Sequence, residues 1–188
     1  MINTDFVILV PGKPDRLDET LAGISLQAKD GSRIVCVIDE AHRKSAGEII
    51  ERIGRRVTVV YSDLPSEGAG SALNKAISLT KGDAIFLMTR MVTLPPGFVA
   101  ACAEKLFSGD SVGFVYASYI EEKGGDEESF VQTRTDNYDF SESSKIGPVR
   151  AIRREVFETV GYYDPSLKYA FDYDLRMRIF EKYELAAL

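Results

Sequence analysis

The sequence predicts a doubly wound α/β fold, in which a mostly parallel sheet carries helices on both faces. Three observations point there. Short apolar runs rich in β-branched residues recur at 6–10 (FVILV), 33–38 (RIVCVI), 57–61 (VTVVY) and 84–88 (AIFLM). Segments of helical period alternate with them, and the runs are too continuously apolar to leave one face in water, as is usual for strands covered on both sides. The 188 residues, 45% of them hydrophobic, suit one core of ordinary size, so a single domain over residues 1–188 is expected.

After the first run a helix is expected from about Pro14, with Leu17, Leu21, Ile24 and Ala28 on one stripe and Asp15, Asp18 and Glu19 near its positive end. A right-handed crossover then leads to the second strand. Ser45 and Glu48 have the spacing of a capping box, Ile49, Ile50 and Ile53 face inward, and Gly54 is a stop. A third helix from about Gly70 buries Leu73, Ala76 and Ile77 and ends at Lys81-Gly82. Pro95-Pro96-Gly97 opens a fourth, with Phe98, Cys102 and Leu106 inward. Beyond it VGFVYASYI (112–120) reads as one more strand, and the polar, acidic stretch 121–145, with its Gly124-Gly125 turn, as a hairpin or mobile loop.

Net charge is −6 with Lys and Arg scattered, which disfavours nucleic acid as a partner. Cys36 and Cys102 lie in apolar patterns outside any CxxC, and buried free thiols suit a reducing compartment. No run approaches the ~18 residues of a membrane span, and MINTDFVILVPG lacks the features of a signal peptide. A soluble, cytoplasmic protein is expected. Open α/β sheets bind ligands outside the carboxyl ends of their strands. Here those ends are Pro11-Gly12-Lys13, Asp39-Glu40, Ser62-Asp63 and Thr89-Arg90-Met91. None forms a GxGxxG fingerprint or a P-loop, so neither an ordinary dinucleotide site nor a Walker-type ATPase is expected.

Four segments in order, VCVIDEA (35–41), GAGSALNKAISLTKGDAIFL (68–87), LPPGF (94–98) and VFETVGYYDPSLKYAFDYDLRMRI (156–179), resemble the family 2 glycosyltransferases of the glycosyltransferase A fold. The resemblance spans nearly the whole chain. It implies transfer of a sugar from a nucleotide diphosphate donor to an acceptor hydroxyl, with inversion at the anomeric carbon. It also implies a nucleotide-binding part over 1–107 and an acceptor-side part over 108–188. The acceptor, whether glycan, lipid or protein, and the oligomeric state are not implied. Family members usually continue past the position of Leu188 into elements that complete the acceptor side, so either a piece of a longer protein or a short relative is expected.

The family's first strand ends in a segment lying along the nucleobase, and Pro11 to Pro14 stand there without its aromatic residue. Lys13 is either a phosphate contact or a loop lysine. Asp39 and Glu40 match the acidic pair that holds base and ribose, a task suited to carboxylate acceptors; a turn role for Asp39 is the alternative. Asn74, in the match to "ALN", either contacts the donor or lies on an exposed helix face. The family's Asp-x-Asp, which binds ribose and a divalent cation, aligns with Thr89 and Met91. Met91 has no oxygen for a hard cation, so no cofactor is expected and a role for magnesium or manganese is left open. Arg90 between them either offsets diphosphate charge or pairs with a surface carboxylate.

In YAFDYDLRMR, Asp172 takes the place of the family's general base, with Phe171 where the family has glutamate; capping the helix is the alternative role. At helical spacing Asp174 diverges from Asp172 by roughly 200°, so it favours the helix dipole instead, while Leu175 and Ile179 pack inward. His42 is expected at the surface, with a phosphate contact as the alternative, and Asp139 and Asp164 belong to turns. Two functions from different classes follow: an inverting glycosyltransferase, or a non-catalytic docking module with the same fold. A sugar nucleotidyltransferase is a weaker third, because its Gly-rich, Arg-containing loop is missing.

Overall fold

The structure is a computed structural model that describes residues 2–53, 57–123, 127–131 and 146–188. Three strands start it, β1 (Thr4–Val10), β2 (Ile34–Asp39) and β3 (Val57–Ser62), with α1 (Leu17–Ser25) and α2 (Arg43–Ile53) between them. A short α3 (Leu64–Glu67) and α4 (Ala69–Ser78) lead to β4 (Ala84–Met88), followed by α5 (Phe98–Leu106) and β5 (Val112–Tyr116). A hairpin, β6 (Tyr119–Lys123) and β7 (Glu127–Val131), stands apart as a two-stranded sheet. Then come β8 (Val149–Arg153), α6 (Arg154–Val160), α7 (Phe171–Phe180) and β9 (Glu184–Ala187).

The seven-stranded sheet has the order β3-β2-β1-β4-β8-β5-β9. β8 runs antiparallel to both neighbours, and the other pairs are parallel. Alternate side chains of each strand reach opposite faces. Phe6, Ile8 and Val10 join α1, α2 and α5 in one core, with Leu17, Leu21, Cys102 and Leu106. Val7 and Leu9 join α3, α4, α6 and α7 in the other, with Leu73, Ile77, Phe157 and Ile179. The sheet is therefore doubly wound as its sequence predicts. The chain steps outward from β1 to β3 and then returns to β4 on the other side of β1, so the topological switch point lies between β1 and β4.

Several expected boundaries are corrected. β3 is not covered on both faces; as an edge strand it keeps Thr58 exposed. The first helix starts at Leu17, because a turn closes Leu17 N–H onto the Pro14 carbonyl. Ser45 does not cap the second helix: α2 already starts at Arg43, and Ser45 Oγ donates to the His42 carbonyl from inside its first turn. The expected stop at Gly54 lies outside the described residues, as do the expected Gly124-Gly125 turn and the stretch 132–145 with Asp139. The third helix ends at Ser78, three residues early, because the Lys81 and Gly82 amides donate to buried Asp5 instead. There the backbone comes so close that a Cβ on Gly82 would lie 2.9 Å from Asn3 O and Asp5 N. The run 112–120 is two strands, interrupted at Ala117-Ser118, where Ala117 O lies 2.7 Å from the position a Cβ on Gly147 would take. β8 and β9 carry no sequence expectation.

Candidate active site

Asp39, Pro11 and Thr89 finish or follow the adjacent strands β2, β1 and β4 at the carboxyl edge. At ~4.8 Å per strand, Asp39 and Thr89 flank β1 roughly 10 Å apart. Asp39 is buried, and its Oδ1 accepts from Ala41 N at 3.0 Å, capping the 3₁₀ turn Glu40–His42. The turn role is therefore real, and it uses one carboxylate oxygen. Glu40 is exposed and faces its own helix: Arg43 Nε and Nη2 donate to its two oxygens at 2.6 and 2.8 Å, while the guanidinium stacks 3.7 Å from the Tyr61 ring. Hydrogen bonding from Arg43 holds the Glu40 carboxyl below its usual range.

Pro11 and Lys13 are exposed in the loop after β1. Thr89 continues the β4–β8 ladder, its N–H donating to the Pro148 carbonyl at 2.9 Å. Arg90 is exposed at the tip, and Met91 turns back against the core that holds Phe86 and Phe98. Asn74 is held in the fold by the backbone of another element. Its Nδ2 donates to Tyr163 O at 2.8 Å and its Oδ1 accepts from Tyr163 N at 3.0 Å, so the half-buried amide clamps the loop after α6 onto α4.

Asp172 lies in the first turn of α7, whose entry is set by Ala170 in the left-handed region at φ 56°. A side chain there is strained, and such strain persists only where the surroundings enforce it. Phe171 packs edge-on to Tyr163 and against Gly70 in the first turn of α4, which carries the α7 terminus toward the carboxyl edge. There Asp172 Oδ1 is 3.0 Å from Arg150 Nη1 and its Oδ2 is 3.3 Å from Arg176 Nε. The side chains of Arg150 and Arg176 are 8% and 6% exposed and that of Asp172 21%. The Arg150 contact lacks the alignment of a hydrogen bond, and Arg150 Nε and Nη1 have no acceptor among the described residues. Burial pushes the Tyr163 phenol up, and the Asp172 charge adds to it.

Asp174 points elsewhere, pairing with Arg178 at 2.6 Å, so the two carboxylates do diverge. Asp164 closes a turn by accepting from Ser166. Sequence reasoning missed Arg150 and Arg176. The second was legible, being four residues after Asp172 on one helix; the first sits in the strand that was not foreseen.

The residues present do not fit the family's divalent cation. Thr89 leans on the Pro148 carbonyl, Met91 offers only sulfur, and among the described residues no three His, Cys, Asp or Glu side chains come together. A cavity of about 660 Å³ opens beside the strand tips, bordered by Arg16, Met91, Phe98, Tyr119, Pro148 and Leu188. It touches neither Asp39 nor Asp172.

The family model described as "Glycosyl transferase family 2" matches residues 5–161. The chain belongs to glycosyl transferase family 2. Solved structures give this family 2 domain its glycosyltransferase A fold. A mannosyltransferase from Pyrobaculum calidifontis, in complex with GDP-Man and Mn2+, superposes with a TM-score of 0.71 at 17% identity, over 100% of this chain and 55% of that one. S. aureus TarS with UDP-GlcNAc gives 0.75 at 15% identity, over 100% and 56%. Glucosyl-3-phosphoglycerate synthase from Mycobacterium tuberculosis with UDP gives 0.64 at 14% identity, over 99% and 69%. The chain thus spans just over half the length of the first two. No curated protein sequence matches it. Among the described residues no helix is long and apolar enough to cross a membrane.

Proposed function

We propose that this family 2 domain transfers a sugar from a nucleotide diphosphate sugar to an acceptor hydroxyl, with inversion. Residues 1–107 hold the donor and 108–188 face the acceptor. The nucleoside lies over Pro11 and Asp39, whose free oxygen accepts from it, and the diphosphate lies toward Thr89, Arg90 and Lys13. Asp172 takes the acceptor proton as the hydroxyl oxygen attacks the anomeric carbon, and the bond to the diphosphate breaks with its electron pair on the phosphate oxygen. Base catalysis of this kind supplies ~10²- to 10⁴-fold, the remainder coming from positioning and charge stabilisation. No step is routed through a cation.

The observation that carries the reading is the Asp172 carboxylate, held by two arginines on the first turn of α7 close to the end of β4. The nucleotide sugars named with the neighbouring structures support the donor class. A docking module without catalysis is favoured by one observation, the Thr89 and Met91 side chains where the family holds metal. Thermal shift against uridine and guanosine diphosphate sugars separates the two. A donor at a hundred times its Kd stabilises by about 2.7 kcal/mol, a rise of several degrees in Tm. A flat response across the panel rejects the glycosyltransferase in favour of the docking module.

A further inference from the structure

Arg150 is buried with two of its three guanidinium nitrogens lacking a hydrogen-bond acceptor among the described residues. It lies inside the sheet on β8, paired in register with Leu87 of β4 and Tyr116 of β5, and 92% of its side-chain surface is withdrawn from solvent (8% exposed). Its Nε and Nη1 have no acceptor among the described residues, although Nη1 reaches to 3.0 Å from Asp172. Arg153, on the opposite face of the same strand, shows the contrast: its guanidinium caps the end of α5 through the carbonyls of Leu106 and Gly109. A buried guanidinium with open N–H groups points to an acceptor that arrives with a ligand. Around Arg150 stand Asp172, Arg176 and the Tyr163 phenol. Arg150 and Arg176 both reach the Asp172 carboxylate at the positive end of a ten-residue helix. The opening is at Asp172, the most exposed of the three ion-pairing groups.

We propose that Arg150 and Arg176 form an oxyanion subsite beside Asp172, filled by a phosphate or carboxylate group carried by the acceptor. The proposal rests on the glycosyl-transfer reading in one respect. When Asp172 takes the acceptor proton its negative charge is lost, while the positive charges of Arg150 and Arg176 beside it remain. An anion on the acceptor offsets that charge at the moment it appears, and a guanidinium's forked N–H groups suit a phosphate or carboxylate. β8 lies beyond β4 on the side away from Asp39 and Pro11, so the anion belongs to the acceptor end and not to the nucleoside end.

The test is calorimetry on the full chain with inorganic phosphate and, separately, with UDP and GDP. The variants are Arg150→Met, Arg150→Lys and, as an exposed control that loses the same charge, Arg52→Ala. Phosphate is expected to bind the wild type, to lose tenfold or more in affinity in Arg150→Met and at least threefold in Arg150→Lys, and to bind Arg52→Ala unchanged. The nucleoside diphosphate that binds should change less than threefold in all of them. Absence of phosphate binding at tens of millimolar, or wild-type affinity in Arg150→Lys, overturns the subsite. The lysine variant decides the matter even if the methionine variant fails to fold. If UDP or GDP affinity falls with phosphate affinity and the two compete, the anion is the donor's diphosphate and the acceptor assignment is overturned. If neither diphosphate binds while phosphate binding still depends on Arg150, the glycosyl-transfer reading fails and the oxyanion subsite stands.

Discussion

Replacing Asp172 with asparagine removes the carboxylate from between two buried guanidiniums, so the substitution acts on stability as well as chemistry. Breaking a buried pair costs about 3 kcal/mol or more, and Tm should fall. Transfer should drop ~10²- to 10⁴-fold while donor affinity changes only a few-fold, because the proposed role sets Asp172 at the acceptor and not at the donor. Combining Arg150→Met with Asp172→Asn restores part of the melting temperature and none of the transfer; retained transfer in Asp172→Asn would show that this carboxylate is purely structural. At the strand tip, the side chains of Thr89 and Met91 argue that donor affinity is alike in EDTA and in millimolar manganese, and that Arg90→Ala weakens it. Tenfold tighter binding with manganese, about 1.4 kcal/mol, would mean that a cation finds other ligands.

The elements are tied to one another by polar groups that the sequence presents as surface residues. Asn74 belongs to α4, yet both ends of its amide hold the Tyr163 backbone between α6 and α7. Asn74→Ala leaves a buried residue's N–H and C=O without these partners, at a cost of about 1–3 kcal/mol. Urea unfolding should show a lower midpoint with donor affinity intact; an unchanged midpoint with weakened donor binding would return Asn74 to the binding site. Arg178 does related work, closing the end of α6 through the Val160 and Tyr162 carbonyls while pairing with Asp174. α7 is thus positioned from both sides of its first turns, and Asp172 inherits that placement.

The whole molecule buries both thiols. Burial pushes Cys36 and Cys102 from the ordinary value of 9.0 up to about 12, and Tyr163 is raised in the same direction. Their contribution is fully present below the unfolded pKa and is lost as pH rises through the folded one, because only the unfolded chain ionises in between. Melting temperature should therefore fall between pH 9 and 12, by up to about 1.4 kcal/mol of stability per pH unit and thiol, and less steeply in Cys102→Ala. A flat alkaline profile would place the thiols in water. What the sequence determined by itself is the layered fold: FVILV, IVCVI and AIFLM record burial on both faces at every position, and the apolar stripes of α1, α4 and α5 record which side of each helix meets the sheet. Local patterns carry that information because burial follows the period of the element. What tertiary structure decided is the chemistry at the carboxyl edge. Val149–Arg153 is a strand only because β4 and β5 hydrogen-bond it from both sides, since its two arginines break the apolar run. Asn74 is drawn to Tyr163 and Asp172 to an arginine on another element, pairings made by packing segments distant in the chain, for which no local spacing leaves a mark.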